Sequence, residues 1–268
     1  MVTLDDKYTF KDFGLIPLLG HSHPITSNFT NKTLKIPGKA GEYFFGTEIE
    51  SKPFSIPLGV IERDRNLLQQ KLNSLVAFLF DSYGKPRSIK MSFDYEPDVY
   101  YTVMIDGSIP IDRALISAQF EIPFIAHDPY KYSKVLADEI TWGSEVITFE
   151  SHYLLGHEGS DGLMRITEPF SSIDVYVDGL AIKPIIEIDG TATALSIYLD
   201  EYEINLPAFS DSNWVIDCDK YTVLKDGVNA FGLVGLRDFI LQPGMNYIGV
   251  YADTLDINIR IKSRDKYI

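Results

Sequence analysis

Polar and apolar residues alternate with a period of two along most of the chain, and this pattern predicts β-strands. In "RSIKMSFDYE" the apolar side chains share one face, namely Ile89, Met91, Phe93 and Tyr95. A turn cluster follows at residues 96–98. The next segment, "VYYTVMIDG", alternates again and places on one side Val99, Tyr101, Val103 and Ile105. Two alternating segments around a turn cluster predict a β-hairpin.

A third alternating segment, "LISAQFEIPFIAHDPY", collects its apolar residues on a single side: Ile116, Ala118, Phe120, Ile122 and Phe124. Pro123 falls on the opposite side. Because proline has no backbone N–H for a ladder hydrogen bond, it predicts an edge strand or a bulge here. The strand should end at residues 127–130, where Asp128 and Pro129 favour a turn.

One segment, "DRNLLQQKLNSLVAFLFDSYGKP", has a helical period instead. Its apolar stripe consists of Leu68, Leu72, Leu75, Val76 and Leu79. Asp64 is suited to cap the start of this helix, and Gly84 and Pro86 supply stop signals. The helix stands between β segments, so we expect it to cover one face of a sheet.

The C-terminal half is more uniformly β. Its short strand-like segments, punctuated by Gly, Asp or Pro, are "SIDVYVDG", "PIIEIDG", "ALSIYLDEYEINL", "NWVIDCDKYTVL", "NYIGVYAD" and "TLDINIRIKSR". This spacing is typical of a β-sandwich. A boundary in residues 127–139 divides the chain into two predicted domains, 1–133 and 134–268. The fold class is therefore mainly β, with one packed helix and a hairpin in the first domain.

Charge separates the same two halves. The net charge is −14; residues 1–133 hold 14 basic and 16 acidic side chains (−2), and residues 134–268 hold 10 basic and 22 acidic (−12). The acidic half should repel nucleic acid and anionic membranes. No apolar run approaches the roughly 18 residues of a membrane span, and no signal peptide pattern opens the chain, so we expect a soluble protein. A single cysteine excludes an internal disulfide and a multi-cysteine zinc site, which fits a reducing cytoplasm.

Cys218 is the first candidate for chemistry. A nucleophilic cysteine needs a nearby cation or histidine or a helix N-terminus to lower its pKa, whereas Asp217 and Asp219 flank this one. In a strand, Cys218 would share a face with Ile216. We therefore predict a small buried strand residue and no catalytic thiol.

Other candidate sites are weaker. His21 and His23 lie in a Gly/Ser/Pro-rich loop without further metal ligands in sequence, and the remaining histidines are scattered at His127, His152 and His157. Residues 38–41, "GKAG", lack the rest of a phosphate-binding motif and predict a hairpin turn. Four tyrosines could stack on sugars but more often pack across strands: Tyr198, Tyr202, Tyr247 and Tyr251. No catalytic, metal or cofactor site is predicted.

Taken in order, the segments resemble the distal tail protein family of long-tailed, non-contractile bacteriophages, over about three quarters of the chain. The matching stretches are "YTFKDFGL", "KTLKIPGKAGEYFFGTEIESKPFSIPLGV", the helix, the hairpin, "FEIPFIAHDPYKYS", "KPIIEIDGTA" and "VIDCDKYTVLKDGVNA…LQPGMNYIGV". Two departures occur: residues 140–183 match nothing in the family, and Leu236-Arg237-Asp238 replaces a usual Gly-Asp pair.

The resemblance implies a structural protein of the virion, made in the host cytoplasm and placed at the distal end of the tail. Residues 1–133 would form a homo-hexameric ring, and residues 134–268 a galectin-like β-sandwich projecting from it. The implied partners are the major tail tube protein, a tail-tip, lysin or fibre protein, the tape-measure protein and receptor-binding proteins. No enzyme activity, cofactor, specific nucleic-acid binding or membrane insertion is implied.

Two alternatives stay open at this point. One is a carbohydrate-binding module in which the sandwich stacks aromatic rings on host glycans. The other is a glycan-cleaving enzyme, which needs two carboxylates about 5–10 Å apart in a cleft.

Overall fold

The computed structural model describes residues 2–114, 116–136 and 163–268. The chain forms two compact units, Met1–Lys131 together with Ile268, and Tyr132–Tyr267. The assignment of a ring-forming domain to residues 1–133 and a galectin-like domain to residues 134–268 stays a prediction. The stretch 140–183, which had no counterpart in the resemblance, lies outside the described residues as far as residue 162.

The first unit is built from short antiparallel strands and one helix. In chain order they are β1 Val2–Leu4, β2 Tyr8–Thr9, a 3-10 helix Phe10–Phe13, β3 Ile16–Pro17, β4 Phe29–Leu34, β5 Tyr43–Ile49, β6 Lys52–Ile61, α1 Arg65–Leu79, β7 Ile89–Phe93, β8 Glu96–Ile105, β9 Ile111–Arg113 and β10 Ser117–Ala126. Strand β11 Lys131–Ser133 follows, with its first residue in the first unit and the other two in the second. The main sheet has the order β2-β1-β7-β8-β10-β6-β3, and β9 pairs with β10.

Helix α1 covers this sheet as the apolar stripe predicted. It begins after Asp64, whose side chain accepts a hydrogen bond from the Asn66 amide at 2.8 Å. Leu68, Leu72, Leu75 and Leu79 are buried in the core of the unit. Val76 is 49% exposed, so its place in the stripe was predicted wrongly. At about 100° per residue, Val76 lies outside the narrow arc that the four leucines share.

The β7–β8 hairpin turns earlier than the sequence indicated. Phe93 pairs with Glu96, so residues 94–95 form a two-residue turn and the predicted turn cluster at 96–98 belongs to β8. The side chain of Glu96 pairs with Lys131 at 2.7 Å. Tyr95, predicted on the buried face, is 53% exposed because it stands in the turn.

Pro123 lies in an interior strand, and the edge-strand prediction was wrong. Strand β10 pairs along its whole length with β6, from Ser117 opposite Ile61 to Ala126 opposite Lys52. The Pro123 carbonyl accepts from the Asp106 amide at 3.0 Å, so its nitrogen also points to the β8 side. Pairing of β10 with β8 begins only at Phe124, so the missing donor falls where this ladder ends.

The second unit is a sandwich of two sheets. Its strands are β12 Leu163–Ile166, β13 Phe170–Val177, β14 Ile185–Ala192, β15 Leu195–Leu199, β16 Tyr202–Leu206, β17 Phe209–Asp217, β18 Thr222–Lys225, β19 Val228–Asn229, β20 Gly244–Tyr251, β21 Leu255–Lys262 and β22 Lys266–Tyr267, with a short 3-10 helix at Phe231–Leu233. One sheet has the order β12-β21-β14-β17-β18-β19 and the other β13-β20-β15-β16.

Both sheets of the second unit bury side chains in one apolar cluster. Trp214 and Ile186 come from the first sheet, and Ile197, Ile204 and Val250 from the second. The alternation of buried and exposed residues along each strand matches the sequence pattern. The prediction of a mainly β chain with one packed helix is confirmed.

Candidate assembly interface

Strands β4 and β5 form a hairpin that stands apart from the sheets, here called the arm (residues 29–49). The two strands pair with each other from Phe29 opposite Ile49 to Leu34 opposite Tyr43, and within the described residues they join no other strand. Residues 35–42 connect them; Gly38 and Gly41 adopt positive φ angles of 85° and 80° there. The hairpin turn predicted at residues 38–41 is therefore present.

The arm carries large apolar side chains that nothing in the described chain covers. Phe45 is 70% exposed and Phe44 is 64% exposed, and the other exposed apolar residues of the arm are Phe29, Leu34, Ile36, Tyr43 and Ile49. An isolated two-stranded hairpin is at best marginally stable in water. Contiguous exposed apolar surface in a soluble domain marks an interaction site. The arm therefore has the composition of a surface that a partner covers.

Apolar residues occur on both faces of the arm. Because paired residues point to the same side of a sheet, Phe29, Ile49 and Phe44 share one face, while Leu34 and Tyr43 share the other. A β-bulge between β4 residues 32 and 33 shifts this register. One partner surface can cover only one face, so complete burial of the arm requires contact on both sides.

Several polar groups of the arm pair with one another. Lys32 on β4 pairs with Glu48 on β5, and Thr47 donates a hydrogen bond to Asn31 at 2.7 Å. The Lys39 ammonium lies 3.4 Å from the centroid of the Tyr43 ring. These contacts leave the apolar groups as the part of the arm that lacks its usual environment, and the formal charge of residues 29–49 is only +1, from three lysines and two glutamates.

A buried lysine fixes the segments at the base of the arm. Lys52, at the start of β6, is fully buried, and its ammonium donates to the Ile25 carbonyl at 3.2 Å and to the Tyr101 hydroxyl at 3.0 Å. Ile25 belongs to the segment that leads into β4. Burial and the charge of Lys131 lower the Lys52 pKa, and Glu96 opposes this change.

His23 also fixes this segment, and the prediction of a solvated loop was wrong for it. Its ring stacks on Phe93, with centroids 4.4 Å apart, and its Nδ1 hydrogen-bonds the Tyr95 hydroxyl. Burial, followed by the charge of Lys52, lowers the His23 pKa to about 4, so the ring is neutral at pH 7. His21 remains exposed and stacks more loosely, 6.1 Å from the Phe93 ring.

Cys218 has the environment of a structural residue. It is fully buried, and its amide donates to the Pro184 carbonyl at 3.1 Å. It is the first residue of the turn after β17, so its assignment to the strand was wrong by one position. Burial, with the adjacent Asp217 carboxylate, raises the pKa of its thiol to about 12. A thiol of this kind is not a nucleophile at neutral pH.

The remaining candidates do not form a metal or catalytic cluster. Within residues 2–114, 116–136 and 163–268, no group of three or more histidine, cysteine, aspartate or glutamate side chains is arranged to hold a metal ion. His127 is exposed after β10, and His152 and His157 lie outside the described residues. In the part of the chain that the structure describes, no helix combines the length and apolar character needed to cross a membrane.

The four tyrosines considered for sugar stacking separate into two groups. Tyr247 and Tyr251 stand on the outer face of β20, 64% and 47% exposed. Tyr198 lies over Gly249 on the same face; a Cβ at Gly249 would come within 2.1 Å of the ring. Tyr202 instead packs against the core of the sandwich. Three of the four tyrosines therefore share one outer sheet face.

Part of the N-terminal unit is similar to a known protein family. Residues 8–126, which include the arm and helix α1, match the phage tail protein RIFT-related domain. The match covers 119 of the 268 residues, so this similarity concerns the N-terminal part of the chain. No curated protein sequence matches the chain.

Solved structures are similar to this chain over its full length, beyond residues 8–126. The Dit protein (gp 19.1) of phage SPP1, described as a paradigm of hub adsorption apparatus in phages that infect Gram-positive bacteria, has a TM-score of 0.70 and 13% identity, with 100% of both chains covered. Chains of the phage P2 baseplate, activated with Ca or with Sr, have TM-scores of 0.48 and 0.45, each at 13% identity, with 100% of this chain and 99% of theirs covered. The resemblance to the distal tail protein family is confirmed.

Sequence reasoning missed the exposure of the arm. The "YFF" run at residues 43–45 lies in a stretch that resembles the phage tail family. Three consecutive aromatic residues break the period-two alternation, and this break was the available signal that both faces carry apolar groups.

Proposed function

We propose that this protein is a structural hub of a long non-contractile phage tail and that the arm joins its copies into a ring. The single observation that carries the proposal is the arm, with Phe44 and Phe45 exposed and apolar side chains on both faces. A ring gives each protomer two neighbours, one on either side, which is the arrangement that a two-faced arm requires.

The charge distribution also favours the N-terminal part of the chain as the part that assembles. Residues 1–133 have a balance of 14 basic against 16 acidic side chains, whereas residues 134–268 have 10 against 22. Repeated copies of the nearly neutral part approach one another with little repulsion, and the acidic part is better suited to solvent. Following the sequence resemblance, we take six as the number of copies and the distal end of the tail as the location.

The proposed partners follow from this position. The ring would join the major tail tube protein on one side and the tip proteins, including a lysin or fibre protein, on the other. The tape-measure protein and receptor-binding proteins are further partners. The role is one of assembly, so we expect no catalytic turnover and no cofactor.

Light scattering on the purified full chain tests the ring. Six times 30.3 kDa gives a particle of about 182 kDa at high concentration. The double variant Phe44→Ser/Phe45→Ser should remain a monomer, and Phe170→Ser, which removes an exposed phenylalanine from the second unit, should assemble as the unchanged chain does. Assembly that survives the double variant and is lost in Phe170→Ser would refute the role of the arm.

A second candidate function is glycan binding by the second unit. It is favoured by the outer face of β20, where Tyr247 and Tyr251 are exposed and Tyr198 lies over Gly249. The acidic balance of residues 134–268 favours neutral glycans over anionic ones. A glycan array should detect binding that Tyr247→Ala/Tyr251→Ala abolishes; an array without any signal would remove this candidate.

A further inference from the structure

The second unit contains a cavity of about 510 Å³. It is formed where the segment before β14, the turn after β17 and the end of β21 approach one another. Cavities of about 300–1,000 Å³ are typical of small-molecule sites. This volume is much larger than a single inorganic ion needs.

The wall of this cavity is basic, in contrast to the rest of its unit. Residues 134–268 hold only 10 basic side chains, and five of them line the cavity: Lys183, Lys220, Lys262, Arg264 and Lys266. Two carboxylates, Asp217 and Asp219, are the acidic lining residues. Glu187 and Asp238 lie outside the lining but pair with two of these lysines, so the five cations and their four nearby carboxylates have a formal balance of +1 in a unit that is otherwise strongly acidic. A concave site with an excess of one sign of charge attracts ions of the opposite sign.

The cationic groups are held in place by contacts within the unit. Arg264 Nη1 donates to the Lys134 carbonyl at 2.7 Å and also to the Ser133 carbonyl. Lys183 donates to the Tyr221 hydroxyl at 2.6 Å and to Asp238 at 2.9 Å. A guanidinium and an ammonium fixed in this way lose little conformational entropy when a ligand binds.

The main carboxylate of the wall is already engaged. Asp217 accepts hydrogen bonds from the Asp219 amide at 3.1 Å and the Lys220 amide at 2.9 Å, and it pairs with the Lys220 ammonium at 2.9 Å. These donors offset its charge. Lys262 has a carboxylate partner at 2.8 Å, Glu187, which is outside the lining. An ammonium carries three donors, so one such partner does not exhaust it.

The Ser263 hydroxyl does not belong to this wall. Ser263 lies between Lys262 and Arg264 in sequence and is 5% exposed. Within the described chain its Oγ is buried and has no hydrogen-bond partner. An atom without accessible surface does not face the open space of the cavity, so this hydroxyl does not reach a ligand bound there.

We propose that this cavity binds an organic phosphate, a phosphate group carried on a small polyol or sugar. A carboxylate offers only two oxygens, whereas a phosphate offers three or four acceptors and up to two negative charges to a wall with five cationic side chains. The cavity volume leaves room for the body of the ligand beside the phosphate. This site uses none of the arm residues and goes beyond the proposed hub role.

Isothermal titration of the full chain with glycerol 1-phosphate tests the site. Binding should be saturable at millimolar concentration or below, and about tenfold weaker in Lys262→Gln. Arg165→Gln is the matched control, because Arg165 is an exposed cation of the same unit that pairs with Asp256 outside the cavity. Its affinity should equal that of the unchanged chain.

Ser263→Ala is a second control. Its hydroxyl has no partner and does not face the cavity, so the melting temperature should stay the same or rise and the affinity should equal that of the unchanged chain. Inorganic phosphate should bind more weakly than glycerol 1-phosphate, and glycerol should not bind. The proposal is overturned if glycerol 1-phosphate does not bind, if citrate binds in its place, or if Arg165→Gln lowers the affinity as much as Lys262→Gln.

Discussion

The chain contains two hairpins with strands of five to seven residues that stand in opposite environments. In the sandwich hairpin, β15 and β16 (residues 195–206), Ile197 and Ile204 are fully buried and alternate with more exposed positions. In the arm, every residue of β4 and β5 except the partly buried Gly46 is exposed. The sandwich hairpin is stabilised by its own unit. The arm has the same antiparallel pairing without a core, so its stability has to come from another molecule.

The largest expected effect is loss of assembly when charge is placed on the arm. Phe44→Asp/Phe45→Asp introduces two carboxylates into the surface that neighbouring copies would bury, and burying an unpaired charge costs several kcal/mol. Sedimentation velocity should show only monomers at concentrations where the unchanged chain assembles. Tyr247→Asp, with one equivalent change on the sandwich, should assemble normally; if both variants assemble equally, the arm is not the interface.

The next prediction compares how much a core-side substitution in the sandwich hairpin and a substitution in the arm change the free energy of unfolding. Ile204→Ala removes a fully buried side chain from the sandwich hairpin, and it should lower the free energy of unfolding by about 2–5 kcal/mol in urea titrations. Phe45→Ala in the arm should change the same quantity by less than about 0.5 kcal/mol under monomeric conditions. Equal losses in the two variants would mean that the arm has a core of its own.

Acid should weaken the base of the arm. The His23 pKa of about 4 lies below the ordinary value of 6.5, so the unfolded chain takes up a proton first as the pH falls. The stabilisation is complete above pH 6.5 and is lost as the pH falls toward 4. We expect a loss of about 1–2 kcal/mol, discounted because the ring is only partly buried.

A matched variant isolates this contribution from other titrating groups. Urea titrations of the unchanged chain and of His23→Leu at about pH 7, 5.5 and 4 give the difference in unfolding free energy at each pH. That difference should shrink on acidification, since a leucine side chain does not titrate. A difference that stays constant would show that His23 does not cause the loss of stability in acid. Lys52, Lys131, Glu96 and His21 are the charged or titratable groups around the ring and are retained in both chains.

The smallest expected effect is a loss of stability as the pH rises, and it concerns Asp265 in the second unit. Burial and the nearby Asp178 charge raise the Asp265 pKa to about 6, although the Asp178 amide donates to its Oδ1 at 3.1 Å. The folded pKa exceeds the unfolded value of 3.8, so ionisation of Asp265 lowers stability as the pH rises through this window.

Replacing Asp265 by asparagine keeps an oxygen for the Asp178 amide and removes the buried charge. Asp265→Asn should therefore raise the free energy of unfolding by about 1 kcal/mol at about pH 7.5 and leave it unchanged near about pH 3.5. Thermal melts of both chains at the two pH values provide the check. A variant that is less stable than the unchanged chain at the higher pH would show that the Asp265 carboxylate is stabilising.

The sequence predicted those parts of the fold in which one local pattern decides the outcome. Alternation located β7, β10 and the sandwich strands, and the leucine stripe located α1. It did not locate the turn at residues 94–95 or the interior position of Pro123, because both depend on which strand pairs with which. The exposed arm and the basic cavity were also missed. Alternation assigns a face without showing what covers it, and Lys183, Lys220 and Lys262 meet only after folding.

Hydrogen–deuterium exchange on the monomer and on the assembled protein tests the central claim most directly. In dilute monomer, amides of the arm should exchange rapidly while those of the sandwich hairpin are protected; upon assembly, arm exchange should slow by about a hundredfold or more and sandwich exchange should not change. Arm amides that are already protected in the monomer, or that exchange equally fast after assembly, would contradict the claim that neighbouring copies cover the arm.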